Sequence, residues 1–281
     1  MAKILCIGSG KLANQLPALM PQHEFIGIRR SKVASPLQLV SLDLLSDQLT
    51  IESVLKEVGQ VDAIVFTATP DARTPEAYQS TYCEIPKKVL SVIHHLGWSP
   101  SWLHVSSTGV FGQDSGEWVH EKTEPAPKSV FAQMLRASEL IVAEYGHTQI
   151  VRLAGLYGQG QTHLLKALAQ GRGIQQQPWS YTNRIHRDDA ARVIAFVLAY
   201  QLANRSKEVS YWHGADYDPA PLHQIANEMS HSFDLPAPQF LSALAHEDAI
   251  GSQNKRVGNR RLVNAGFTFL YPTYRQGFCA P

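Results

Sequence analysis

Five short apolar runs alternate with helix-patterned stretches over the first 106 residues, and that alternation leaves few folds open. The runs are Lys3–Ile7 (KILCI), Glu24–Ile28 (EFIGI), Leu37–Leu42 (LQLVSL), Ala63–Thr67 (AIVFT) and Trp102–Ser106 (WLHVS). Several are apolar at successive positions, the pattern of strands buried on both faces. Between them, Lys11–Met20 carries Leu12, Leu16 and Leu19 on one helical stripe, and Ile51–Val58 and Glu84–His95 are also helical in pattern. Strands covered on both sides need helices above and below, so the expected class is α/β: a Rossmann-type doubly wound parallel sheet. Right-handed crossovers then gather the strand ends along one edge, where the loops meet a ligand.

Further on, Phe131–Tyr145 reads as a helix, Gln149–Leu153 as a sixth strand, and Asp188–Tyr200 as a helix whose acidic start suits the positive end of its dipole. Glu208–Trp212 is expected to return to the sheet, and Pro221–Ser230 to form a helix. The tail from Gly251 to Pro281 is basic, turn-rich and aromatic; its cationic side chains, Lys255 among them, read as solvated and its aromatics as anchors. The expected division is a dinucleotide-binding core over 1–160, with the remaining core elements over 161–281 interleaved with a small C-terminal substrate-facing lobe.

Composition excludes several classes of function. Apolar residues make up 44% and charged residues 17%, too apolar for disorder and too interrupted by charge for a membrane span. A formal charge of +1 offers no field for a polyanion, so no nucleic-acid partner is expected. Cys6, Cys83 and Cys279 are widely spaced and no leader pattern opens the chain, which together suggest inert thiols in a reducing cytoplasm. None of the twelve histidines falls in a metal-binding spacing, and no Gly-x-Ser-x-Gly elbow is present, so no metal and no acyl-transfer chemistry are expected.

The first strand runs directly into Gly8-Ser9-Gly10-Lys11-Leu12-Ala13. In such a GxGxxA turn the first glycine makes the turn, the second lets the backbone approach a pyrophosphate, and the small third position allows close helix packing. The end of the second strand reads Arg29-Arg30-Ser31, with no carboxylate for the adenosine ribose. Arginine forks suit a 2′-phosphate, so NADP is expected ahead of NAD. Asp43 after the third strand is a candidate for the adenine amino group, and the small residues Thr67, Ala68 and Thr69 after the fourth for the cofactor wall. Each has a plainer reading as a solvated turn or a strand-end cap.

After the fifth strand comes Ser106-Ser107-Thr108-Gly109-Val110-Phe111-Gly112, then VRLAGLYGQG over Val151–Gly160 and Asn183-Arg184-Ile185-His186-Arg187-Asp188-Asp189. With the amino-terminal GSGKLA, these segments resemble the extended and atypical short-chain dehydrogenase/reductase superfamily, which includes sugar-nucleotide epimerases and dehydratases. The resemblance covers most of residues 1–200. It implies hydride exchange with a substrate alcohol or carbonyl, a nucleotide-sugar or phosphorylated small-molecule substrate, and a homodimer. Ser107 matches the catalytic serine or threonine, and Thr108, Tyr157, Arg184 and His186 fall where substrate is approached. The family's tyrosine and lysine, four residues apart on one helical face, are matched instead by Phe131 and Leu135. Phenylalanine donates no proton and leucine carries no charge. The residues alone therefore support two readings, an enzyme with altered proton transfer or an NADP-binding structural or regulatory protein. Tyr82, Tyr157 and His186 are candidate substitutes for the proton donor, Arg152 is a candidate anion contact, and Trp118 in Asp114–Glu121 either covers a ligand or packs its own loop.

Overall fold

In a computed structural model, residues 1–31, 33–158, 163–177, 180–204, 208–242 and 254–278 are described. Gln159, Gly160, Gly251, Cys279 and Pro281, named above, lie outside them. In chain order the first elements are β1 (Lys3–Ile7), α1 (Leu16–Leu19), β2 (Glu24–Arg29), β3 (Gln38–Ser41), α2 (Gln48–Val58), β4 (Ala63–Phe66), α3 (Pro75–Tyr78), α4 (Ile85–His95) and β5 (Ser101–Ser107). Next come β6 (Glu117–Val119), α5 (Val130–Tyr145), β7 (Thr148–Leu153), β8 (Gly155–Tyr157), α6 (His163–Ala169), β9 (Ile174–Gln177), β10 (Tyr181–Thr182), β11 (Arg184–His186) and α7 (Arg187–Asn204). The last are β12 (Ser210–Gly214), β13 (Ala220–Pro221), α8 (Leu222–Ser232), β14 (Phe240–Ser242), β15 (Lys255–Val257), α9 (Arg260–Asn264) and α10 (Tyr274–Phe278).

One seven-stranded sheet has the order β12-β7-β5-β4-β1-β2-β3, and β1 pairs in parallel with both β2 and β4. The chain winds outward in one direction through β2 and β3 and in the other through β4 and β5, which makes the β1/β4 junction the switch point of a doubly wound fold. Side chains of β1, β2 and β4 are almost wholly buried because helices cover both faces. α2 and α4 bury Ile51, Leu55, Val89, Val92 and Ile93 against this core.

The chain divides into two units. The first is Met1–Val110, Pro127–Arg152 and Ala191–Trp212; the second is Phe111–Ala126, Leu153–Ala190 and His213–Pro281. Phe111–Ala126, which a boundary at residue 160 places with the core, thus belongs to the second unit.

Two local expectations are corrected. The stretch Lys11–Met20 is not one helix but a 3-10 turn over Ala13–Gln15 followed by the four-residue α1. Pro17, at the start of α1, has no N–H to continue a hydrogen-bonded ladder from the preceding turn. Over the described residues 254–278, the tail forms more regular structure than its turn-rich sequence implies. β15 pairs in parallel with β6, setting Lys255 opposite Glu117 and Arg256 opposite Trp118. Lys255 is 1% exposed rather than solvated, and burial lowers its ammonium to about 8 against the opposing pull of Glu117.

Candidate functional site

The glycine turn is built by its neighbours in the first unit. Gly8 has φ +92°, and a Cβ there would lie 2.4 Å from the Ala68 backbone nitrogen, so both conformation and space require glycine. The Thr67 hydroxyl donates to the Gly8 carbonyl at 2.5 Å, and the Ser9 hydroxyl to the Ile28 carbonyl at 3.3 Å. These hydroxyls tie the turn to β4 and β2. At Gly10, by contrast, a Cβ would meet nothing within 4 Å.

That open side leads into a cleft of about 590 Å³ along the carboxyl ends of β1 to β4, within the size range of small-molecule sites. Gly8, Ser9 and Gly10 line it beside Arg29, Arg30 and Ser31. Asp43, Thr67, Ala68 and Thr69 complete the set that the motifs single out. Lys11 and Leu12 do not line the cleft, but among the described residues no backbone acceptor meets their N–H groups. With so short a helix behind them, these local amides rather than a long macrodipole would carry phosphate recognition.

Three observations fit a dinucleotide diphosphate and ribose here: the open face of Gly10, the free amides beside it, and Arg29 Nε, which is buried with no acceptor. Arg30 is already engaged, its Nη2 lying 2.5 Å from Asp71 Oδ2. Asp43 is exposed and its Oδ1 accepts the Leu45 N–H at 2.9 Å.

Ser107 stands half-buried at the end of β5, next to β4 in the sheet. Its Oγ accepts the Gly109 N–H at 3.0 Å, which leaves the hydroxyl proton to donate elsewhere. Thr108 follows it, buried. On α5, Phe131 packs its ring 4.7 Å from that of Tyr78 with the Arg73 guanidinium 5.3 Å above it, and Leu135 packs against the core. The two positions that the resemblance assigns to a proton donor and a cation are thus occupied by packing residues.

The three candidate substitutes for the proton donor each have contacts of their own. Tyr82, 8% exposed, lies in a π-helical turn over Gln79–Glu84 against Tyr78, and burial raises its hydroxyl above the ordinary value. In the second unit, Tyr157 donates to the Thr273 carbonyl at 3.2 Å and stacks on Phe278. His186 pairs across from it, because β11 and β8 run in parallel register. Its ring lies 3.8 Å from that of Tyr271 and its Nδ1 accepts the Asp188 N–H at 3.3 Å. Burial lowers its pKa, while Asp188 and Asp189 pull the other way. Arg184, in the same strand as His186, bonds the Thr182 hydroxyl, and desolvation lowers it to about 10 despite nearby Asp216.

Arg152 and Asp216 are among the charged residues whose surroundings were not foreseen. Arg152, a candidate anion contact, is instead 1% exposed and grips buried Glu139 with two bonds, Nε at 2.9 Å and Nη2 at 2.8 Å. Ser106 and Arg136 add bonds of 2.7 and 3.1 Å to the same carboxylate. Nothing in the spacing of a helical acid and a strand arginine distinguishes this network from solvated surface. Asp216 is the other. It is 2% exposed, Oδ1 accepts the Asp218 N–H at 3.1 Å, and Oδ2 has no partner.

Burial pushes Asp216 from 3.8 up to about 8, with the Asp218 N–H and Arg184 opposing. Between those values the folded chain holds a proton that the unfolded chain has lost. Stability is therefore highest below the lower value, falls as pH rises through the window, and stays reduced above it. Asp216→Asn keeps an acceptor for Asp218 and removes the charge. The expected result is a higher thermal midpoint at pH 8, with a shallower decline between pH 5 and 8, in unfolding curves for both proteins.

Among the described residues no group of three or more His, Cys, Asp or Glu could hold a metal ion, and no helix is long and apolar enough to cross a membrane. Cys6 and Cys83 are free and buried, and burial pushes the Cys6 thiol up to about 12.

The chain resembles solved structures over nearly its whole length. A candidate NAD-dependent epimerase/dehydratase of Methylobacillus flagellatus is 26% identical with a TM-score of 0.77, covering 99% of this chain and 96% of that one. A dTDP-glucose 4,6-dehydratase of Bacillus anthracis, solved with NAD, is 16% identical with a TM-score of 0.76 over 99% and 94% of the chains. DesIV of Streptomyces venezuelae, a dTDP-glucose 4,6-dehydratase solved with NAD and TYD, is 20% identical with a TM-score of 0.76 over 98% and 94%. No curated protein matches. The family model described as NAD dependent epimerase/dehydratase matches residues 8–210, and with the glycine turn, the switch-point cleft and the serine at the end of β5, the chain belongs to that family.

Proposed function

We propose that the chain binds NADP in preference to NAD and exchanges hydride with an alcohol or carbonyl carbon of a small molecule, a nucleotide-sugar being the leading class. The observation that carries this reading is the cleft at the β1/β4 switch point, where Gly10 leaves open space and Arg29 Nε is a buried donor without an acceptor, with the Lys11 and Leu12 amides unbonded next to Gly10 in the chain. Glycine-turn amides hold the diphosphate, and Arg29, Arg30 and Ser31 hold the ribose 2′-phosphate. Asp43 takes the adenine amino group, while Thr67, Ala68 and Thr69 form a wall small enough to leave the space open. A bound nicotinamide supplies the hydride chemistry.

Ser107 donates its proton in a hydrogen bond to the substrate oxygen, with Gly109 N–H fixing its Oγ. Thr108 is a second substrate contact beside it. In the second unit, Arg184, Tyr157 and His186 are the proposed substrate contacts, Arg184 for an anionic group, and Tyr157 and His186 face each other across the β8/β11 pair. The nucleotide-sugar class rests on the dehydratases with which the fold is shared.

A second reading, an NADP-binding structural or regulatory protein without turnover, is favoured by the packing of Phe131 and Leu135 where the family's proton donor and cation belong. The two readings separate on Ser107→Ala. If the chain is an enzyme, this variant is expected to lose about a hundredfold in nicotinamide turnover, within the usual reach of one positioned proton-transfer or hydrogen-bonding group, with NADP affinity unchanged. Absorbance at the reduced-nicotinamide band, followed across sugar nucleotides and small carbonyls, measures the turnover. Firm NADP binding without exchange on any of them selects the second reading.

A further inference from the structure

Resting on the cofactor reading above, we propose that Asp71 limits how far the cleft favours NADP over NAD, because its carboxylate occupies Arg30 where the ribose 2′-phosphate would bind. Arg30 and Asp71 both line the cleft, and their side chains are 57% and 68% exposed. The two arginines at the end of β2 therefore differ. Arg29 keeps a buried Nε without an acceptor, whereas Arg30 is held by a carboxylate inside the same cleft.

Charge sharpens the consequence. Among the described residues that line the cleft, Arg29 and Arg30 stand against Asp43, Asp71 and Glu76, so those acids outnumber the bases that a phosphate dianion needs. Of the three acids, Asp43 is fixed by the Leu45 N–H and Glu76 makes no described bond to either arginine. Among the described acids, Asp71 alone bonds an arginine fork, while Asp43 acts on Arg30 only through space. To bind, the 2′-phosphate displaces Asp71 from Arg30 and then sits near the carboxylate it has displaced. An exposed ion pair is weak, so the dianion wins, but at a cost that NAD does not bear.

Asp71→Asn keeps the shape and removes both the competitor and the like charge. Calorimetric titration of the intact chain is expected to show NADP binding tightened by about fivefold, the scale of one exposed charge pair, with NAD affinity within about twofold of the parent. Arg30→Ala is expected to weaken NADP alone, and in that background Asp71→Asn should add little, because its partner is gone. Equal shifts for NADP and NAD, an unchanged NADP affinity in Asp71→Asn, or an undiminished effect without Arg30 would each overturn the assignment while leaving cofactor binding intact. Failure of the parent chain to take up either nucleotide would overturn the cofactor reading itself, and Asp71's role with it.

Discussion

Glu139→Gln is expected to lower the thermal midpoint by about 10 °C. The carboxylate is fully buried, as is Arg152, and Arg136 and Ser106 also bond to it. Removing the charge leaves a buried guanidinium without its counterion, which typically costs about 3–5 kcal/mol. At roughly 2–4 °C per kcal/mol for a chain of this size, that gives the expected shift. The loss measures the stranded charge more than the net strength of the pair. Glu139→Leu combined with Arg152→Met removes both ions and should recover much of it. Differential scanning calorimetry checks both variants, and a midpoint for Glu139→Gln within about 2 °C of the parent would mean that the network holds nothing together.

The largest effect on ligand binding is expected at Gly10. Gly10→Ala places a methyl group where nothing lies within 4 Å, so folding should be undisturbed. The methyl would, however, hold a diphosphate away from the adjacent amides. Charge-assisted hydrogen bonds lost in that way are worth about 1.5–3 kcal/mol, which corresponds to a tenfold to hundredfold loss of affinity. Gly8→Ala is the informative contrast. Its φ of +92° and the 2.4 Å approach to the Ala68 nitrogen make that variant a folding defect before it is a binding defect. A melting curve beside a nucleotide titration separates them. Gly10→Ala should keep the parent midpoint and lose binding, and the opposite pattern would remove the glycine turn from the cofactor site.

Much of the core was legible because its signals are local. Runs such as KILCI and AIVFT are short, β-branched and apolar at nearly every position, as in strands covered on both faces, and β1 and β4 form there. The cleft lining was legible for a related reason. In a doubly wound sheet, residues just beyond the strand ends share one edge, which brings Gly8, Arg29, Asp43 and Thr67 together although they are far apart in the chain.

What escaped depends on contacts between distant segments. Glu139 on α5 has the look of a solvated helical acid, and only the return of the chain through β7 brings Arg152 to it. Lys255 sits in a basic stretch that reads as surface until β15 is paired with β6, which turns it inward opposite Glu117. Asp189 reads as a first-turn acid, yet it is fully buried and accepts the Leu270 and Tyr271 N–H groups at 2.9 and 2.8 Å, tying down the tail. Asp71 has no motif at all. It follows a proline after β4, and its importance appears only when the side chain of Arg30 reaches it across the cleft.

Calorimetric titration of the unmodified chain with NADP and with NAD tests the central claim most directly. The account predicts saturable heat at one site per chain, tighter for NADP. No heat with either nucleotide, at protein concentrations of about a hundred micromolar where even weak dinucleotide binding would register, would contradict it.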